Sequence, residues 1–298
     1  MAEVLNFEHN GITVNATESP EAMGGLGDNV IGLVGTAPKA DPLIPRNAPF
    51  RINSFTTHAL LDPTGSEEGT LYHAVYQILK VVKVPVYVVI VEAGATPADT
   101  VNAVIGGVEP ATGRKLGLAA LGSVPEDLTI IGAPGFTGTK AVASEFASFG
   151  KRIKARVVLD GKDASVADQV TYSGELGGAD LGFDRCLLVH NMPSVYSKAA
   201  KKNVFLSPSS LAIAALARVK QWESPGNQVT FAEDVSRVVE YNILDTSTEG
   251  DLLNRYGVSY YARTILGGFS LLGNRSITGK FISYVGLEDA ISRKLVKA

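Results

Sequence analysis

The sequence predicts an α/β fold: a mostly parallel, doubly wound sheet with a smaller N-terminal α+β part and an extended N-terminal arm. Three observations carry this. Residues 85–91 (PVYVVIV) form a continuous, mostly β-branched run without polar alternation, the pattern of a strand covered on both faces. Just before it, Leu71, Val75, Ile78, Leu79 and Val82 fall on one face of a helix. Strand-like and helix-like stretches then alternate through the middle of the chain, as crossover connections in a parallel sheet require. With 298 residues, 45% hydrophobic and 19% charged, the chain can build one large domain or two.

Taken in order, residues 1–22 read as an arm. Phe7, Ile12, Thr13 and Val14 give it strand character, and Gly24, Gly25 and Gly27 form a joint before the first core strand. Residues 29–35 (NVIGLVG) read as a buried strand, and a proline-rich excursion leads to a second at 50–55. A helix from Thr70 precedes the strand at 85–91. Further helices are expected at 98–105 and 115–121, flanking a turn at 106–113. A strand at 127–131 and a helix capped by Thr139 follow. The alternation continues with a strand at 155–159, a helix at 164–172 and a strand at 185–189. Beyond Pro193 the order loosens. A helix over 211–222 has Pro208 near its first turn. A short helix at 251–257 stops at Gly257, strands follow at 258–262 and 269–272, and Leu287, Ile291 and Leu295 mark a last amphipathic helix. The implied stretches are 1–22, 23–106, 107–250 and 251–298.

Composition narrows the function. The net charge is −3, and the longest basic cluster, 151–156 (KRIKAR), reads as the solvated end of a helix running into a strand. A nucleic-acid surface needs a wider basic face, so no direct nucleic-acid partner is expected. The single cysteine, Cys186, lies in an apolar run and reads as a buried small hydrophobe. No signal peptide opens the chain and no run is long enough to span a bilayer, so a soluble protein without a membrane partner is expected.

No catalytic constellation emerges. The four histidines, His9, His58, His73 and His190, are scattered, and each reads as a satisfied structural residue. No serine sits in a G-x-S-x-G elbow. No H-x-x-x-H pair or cysteine cluster offers a metal site, and no cofactor is expected. The glycines at 132, 135 and 138 follow a strand and open a helix, where amides could hold an anion. Pro134 removes one donor, however, and the spacing fits neither phosphate fingerprint. A near-miss phosphate loop lies at 268–276 (GFSLLGNRS). Asn274 stands where a P-loop needs lysine, Arg275 intrudes before Ser276, and Gly279 falls where a helix should begin. It reads as a structural turn.

An ordered set of motifs nevertheless resembles one family. Residues 251–258 (DLLNRYGV), with Asn254 and Gly257, precede Gly268-Phe269 and then 272–276 (LGNRS), with Gly273, Asn274 and Arg275. Together with 29–37, 85–92 and the Pro134-Gly135 loop, they resemble, in the same order, the contractile-tail sheath proteins. Leu272 replaces the tryptophan usual in that pattern. The resemblance implies a subtilisin-like α/β domain without a working triad, and no enzymatic activity. It implies a virion component, assembled in the host cytoplasm as stacked hexameric rings around a tail tube. Its implied partners are neighbouring sheath subunits, the tube protein, and baseplate and tail terminator proteins. N- and C-terminal arms of neighbours would pair by strand addition with a third subunit's sheet. Family members continue for roughly another hundred residues, so a truncated C-terminal part is expected. The rival readings are a degenerate hydrolase and a small-ligand-binding α/β protein using residues 132–139.

Overall fold

The computed structural model describes residues 29–297. Phe7, Ile12, Thr13, Val14, Gly24, Gly25 and Gly27 lie outside the described residues. In chain order the elements are β1 (Ile31–Thr36), β2 (Pro49–Ile52), α1 (Phe55–His58), α2 (Leu71–Val81), β3 (Val86–Val91), α3 (Pro97–Ile105), β4 (Gly107–Val108) and β5 (Lys115–Leu116). Next come β6 (Ile130–Gly132), α4 (Lys140–Ile153), β7 (Arg156–Asp160), α5 (Val166–Glu175), β8 (Cys186–Val189), β9 (Pro193–Ser197), β10 (Lys202–Phe205) and α6 (Ser209–Arg218). The chain closes with β11 (Gln228–Val229), β12 (Asp234–Val235), α7 (Glu249–Arg255), β13 (Val258–Arg263), β14 (Phe269–Leu272) and α8 (Ile282–Lys297).

Nine strands make the main sheet, in the order β11-β14-β13-β8-β7-β6-β1-β3-β2. The inner run from β13 to β3 is parallel throughout. Antiparallel strands close both edges, β2 on one side and β14 with β11 on the other. The stretches 23–106, 107–250 and 251–298 each contribute strands to this one sheet.

The predicted burial on both faces is met residue by residue. In β3, Val86, Val88 and Ile90 enter the core beneath α2 and α6, while Tyr87, Val89 and Val91 enter the core beneath α3 and α4. Such a strand has no polar face, which is why its sequence shows no alternation. Helix α6 is buried from Ser209 to Ala217. Its many alanines make it thin enough to lie between the sheet and α2.

Several sequence expectations need correction. Residues 115–121 are not an α-helix: β5 pairs with β4, and Gly117–Ser123 is a 3-10 turn. Leu118 and Leu121 do bury, but glycines at 117 and 122 bound the segment and favour a short, tight path. The strand expected at 50–55 stops at Ile52, because Ser54 caps α1. Thr139 occupies the N-cap of α4 but makes no side-chain cap bond; its neighbour Thr137 bonds elsewhere. The loose region after Pro193 holds a three-stranded antiparallel sheet, β10-β9-β12. Within the basic run, Arg156 is not solvated: it is 1% exposed. Cys186 and Leu272 are both buried.

Candidate functional site

A doubly wound sheet offers a ligand its crevice where the strand order reverses, outside the carboxyl ends of the strands. Here the chain passes from β1 outward to β3 and returns to the other side of β1 as β6. A cavity of about 380 Å³ opens near that point, with Thr70, His73, Gly135, Ser207 and Ser210 in its walls.

The loop after β6 was the candidate anion cradle, and an internal carboxylate occupies it. Asp160, at the end of β7, accepts from the Gly135 amide (2.9 Å) and the Thr137 hydroxyl (2.7 Å) through one oxygen. Its other oxygen accepts from the Ser209 amide at the start of α6 (2.8 Å). The Asp160 amide donates back to Thr137 Oγ1 (2.8 Å). Burial raises the Asp160 pKa above its ordinary value, against bonds from Ser209, Thr137 and Gly135 that favour the charged form. The donors that could hold a phosphate thus hold the protein's own acid. Asp160 was legible only as the first polar residue after an apolar strand.

The histidines do not form a nucleophile–base pair. His73 Nε2 lies 3.6 Å from Glu67 Oε2, and Glu67 also accepts from Ser197 Oγ (2.5 Å) and the Lys198 amide (3.2 Å). Two serine hydroxyls of the crevice, Ser207 and Ser210, bond each other at 2.8 Å. Among the described residues no histidine ring nitrogen is hydrogen-bonded to a serine. His58 contacts the Tyr72 carbonyl through Nε2 (2.9 Å). His190 departs from the satisfied reading, since its buried Nδ1 has no partner. Burial, the largest influence on all three rings, lowers their pKa values. No group of three or more metal-ligating side chains occurs among the described residues, and no described helix is long and apolar enough to cross a membrane.

The motif residues at the C-terminal end come together, with one exception. After α7, the Gly257 amide donates to Asn254 O (3.1 Å), and Gly257 has φ 69°. A Cβ there would overlap Ser276 O, so the helix stop and the following turn touch through bare backbone. Gly273, at φ 122°, passes equally close to the Ser259 side chain. Asn274 then organises the next helix. Its carbonyl accepts from the Ile282 amide (2.9 Å), its Oδ1 from the Ser283 amide (3.3 Å), and its Nδ2 donates to Ser283 Oγ (3.0 Å). Arg275 lies over the Phe281 ring (4.6 Å) and donates to Gly279 O (3.2 Å). The stretch is therefore a turn, as expected, but a helix does follow it, α8, once the loop to Phe281 has closed. The exception is Gly268, which sits at φ 78° in the hairpin between β13 and β14, with Gly267 donating to Thr264 O (3.2 Å).

The comparisons with known proteins point to a structural class, the subunits of contractile tails. No family model matches the sequence. A chain in the helical sheath of the anti-feeding prophage, in its contracted state, superposes with a TM-score of 0.62 at 18% identity, covering 97% of this chain and 75% of that one. A chain of the contracted sheath complex of an extracellular contractile injection system, PVC, gives 0.63 at 13% identity, with coverages of 97% and 75%. One from the contracted anti-feeding prophage baseplate gives 0.66 at 17%, with 98% and 77%. In sequence, the chain is a homologue of a prophage major tail sheath protein of Pseudomonas aeruginosa (strain UCBPP-PA14), 27% identical over 288 residues, 92% of this chain and 71% of the relative.

Proposed function

We propose that this chain is a structural subunit of a contractile tail sheath and performs no catalysis. The observation that carries the reading is the 27% identity to a major tail sheath protein along 92% of the chain. The subtilisin-like character implied by the family resemblance is supported by the mainly parallel sheet. Subunits would stack as hexameric rings around a tail tube, with baseplate and terminator proteins at the two ends. Contraction would be a switch between two packings of nearly rigid bodies, the energy being stored at assembly.

In this reading residues 1–22, with Phe7, Ile12, Thr13 and Val14, form the inter-subunit arm, which joins a neighbour's sheet by strand addition. Gly24, Gly25 and Gly27 are its hinge. Residues 23–106 and 107–250 form the body, and 251–298 form the C-terminal sheath part. Asn254, Gly257, Gly268, Gly273, Asn274 and Arg275 shape the transition into that last part. The protein would reside in the virion tail after assembly in the host cytoplasm.

The test is expression of the protein followed by electron microscopy. Hollow striated tubes are expected, and deletion of residues 1–20 should abolish them while leaving a folded monomer. Intact tubes from the deletion would overturn the arm's role. Labelling by a serine-directed activity probe, lost on mutating one serine, would favour the hydrolase reading instead.

A further inference from the structure

At the amino ends of the parallel strands, opposite the crevice, lies a second buried polar cluster. Asn29, the first described residue, leads into β1. Its Nδ2 donates to Ala217 O (3.1 Å) and Val219 O (2.7 Å), at the end of α6. Its Oδ1 accepts from Arg156 (2.8 Å) and from Thr129 Oγ1 (3.2 Å). The second terminal nitrogen of Arg156 donates to Gln221 O (3.2 Å).

The cluster continues into α8. The Gln221 side-chain oxygen accepts from Arg293, which also donates to Lys154 O (2.6 Å). Gly286 of α8 packs so closely on the Gln221 carbonyl that any Cβ would overlap it. One turn before Arg293, Asp289 pairs with Arg185 at 2.8 Å. An unbroken path of polar contacts therefore runs Asn29–Arg156–Gln221–Arg293. Its first step alone spans 127 residues of sequence.

Burial pulls the Arg156 pKa down to about 9, opposed by the charge of Asp289, so the guanidinium remains cationic at neutral pH. A buried charge that loses one partner has no water to replace it. Apolar packing between two elements can slide; a buried guanidinium held by fixed oxygens has a few discrete arrangements. We propose that this path is a mechanical coupling, joining the point where residues 1–28 enter the body to helix α8, so that a displacement at one is felt at the other. Its use rests on the sheath reading: both ends would carry connections between subunits, and the coupling would let one neighbour's movement reach the next.

Native-state hydrogen exchange on the 298-residue chain tests the coupling without any assembly. Arg293 is only half-buried, so Arg293→Gln should fold. It should speed exchange of the amides of residues 30–33 about tenfold, the scale of an ordinary coupling between sites, and leave β3 unchanged. In the reverse direction, Asn29→Ser should speed exchange in α8 by a similar factor. Lys280→Gln, just before α8 but off the path, should not affect residues 30–33. Effects confined to the mutated element in both directions would overturn the proposal. If the coupling appears but the complete protein forms no tubes, only its assigned use falls.

Discussion

Strand β7 begins on a buried arginine and ends on a buried aspartate, and the two poles of the sheet differ accordingly. At the carboxyl pole, Asp160 is surrounded by donors: two amides and a hydroxyl. At the amino pole, Arg156 is surrounded by acceptors: the Asn29 side chain and the Gln221 carbonyl. Helix α6 explains the polarity. Its first turn offers an amide to Asp160, while carbonyls at its far end bind Asn29, which in turn holds Arg156. The helix dipole favours an anion at the first end and a cation at the second. The lesson is that both charges are satisfied from within. Asp160 and Arg156 are each held by partners within the chain, so neither charge calls for a ligand.

The poles should nonetheless differ in cost when disrupted. Asp160→Ala removes the only acceptor for three well-made bonds and should destabilise the fold by about 4 kcal/mol, since each buried donor left unpaired costs about 1–3. Arg156→Met keeps most of the volume, removes the buried charge and leaves Asn29 Oδ1 bonded to Thr129; about 2 kcal/mol is expected. Urea denaturation of both variants measures this. Equal losses would show that the acceptor-rich pole is as intolerant as the donor-rich one, and the comparison would fail.

Much of this fold was readable and most of its polar logic was not. The strand at 85–91 and the helix from Thr70 announced themselves because burial on two faces and on one face leave different periods in the sequence. The antiparallel sheet β10-β9-β12 left none: its strands are short and β10 is largely exposed. Arg156 was misread because its neighbours Lys151, Arg152 and Lys154 suggested solvent. The turn to β7 carries it inward, and its partners at 29 and 221 lie far off in sequence. The turn at 273–276 reads correctly as structural, and Leu287, Ile291 and Leu295 mark the helix that follows; only its start at Ile282 escapes the sequence, because the cap works across the loop from Asn274 to Ser283.

Acid should separate the poles further. His73 borders the crevice, and His190 directly follows β8, at the carboxyl ends of the strands. Burial lowers both pKa values, so as pH falls below about 6.5 the unfolded chain takes up protons before the folded one does. Stability therefore declines with acidification from that point until the folded pKa values are passed. The amino-pole cluster of Arg156, Arg185, Asp289 and Arg293 contains no histidine. Hydrogen exchange at pH 7.5 and 5.5 should show protection lost first around the crevice, and His73→Gln should reduce the pH slope. Asp160 and Asp289, whose pKa values burial raises, act with the opposite sign, adding stability as pH falls from their folded pKa values toward 3.8. Uniform loss of protection at pH 5.5 would break the contrast.

The smallest effect comes from two adjacent acids on α8. Asp289 pairs with Arg185 where both side chains are almost fully buried, 7% and 11% exposed. Glu288 pairs with Lys280 at 2.6 Å, but with side chains 45% and 34% exposed. The shorter distance would suggest the stronger bond. Exposure decides otherwise, because water and salt screen the outer pair and two long side chains lose freedom to make it. Glu288→Gln should cost about 0.3 kcal/mol, and less at high salt. Asp289→Asn should cost about 2 kcal/mol, because the buried Arg185 charge then keeps only the more distant Asp184, at 3.8 Å. A salt series on both variants measures the difference. Similar costs at low salt, vanishing together at 1 M, would mean that the amino-pole cluster is solvated in solution, and Arg156 would then lose its claim to hold α8 in place.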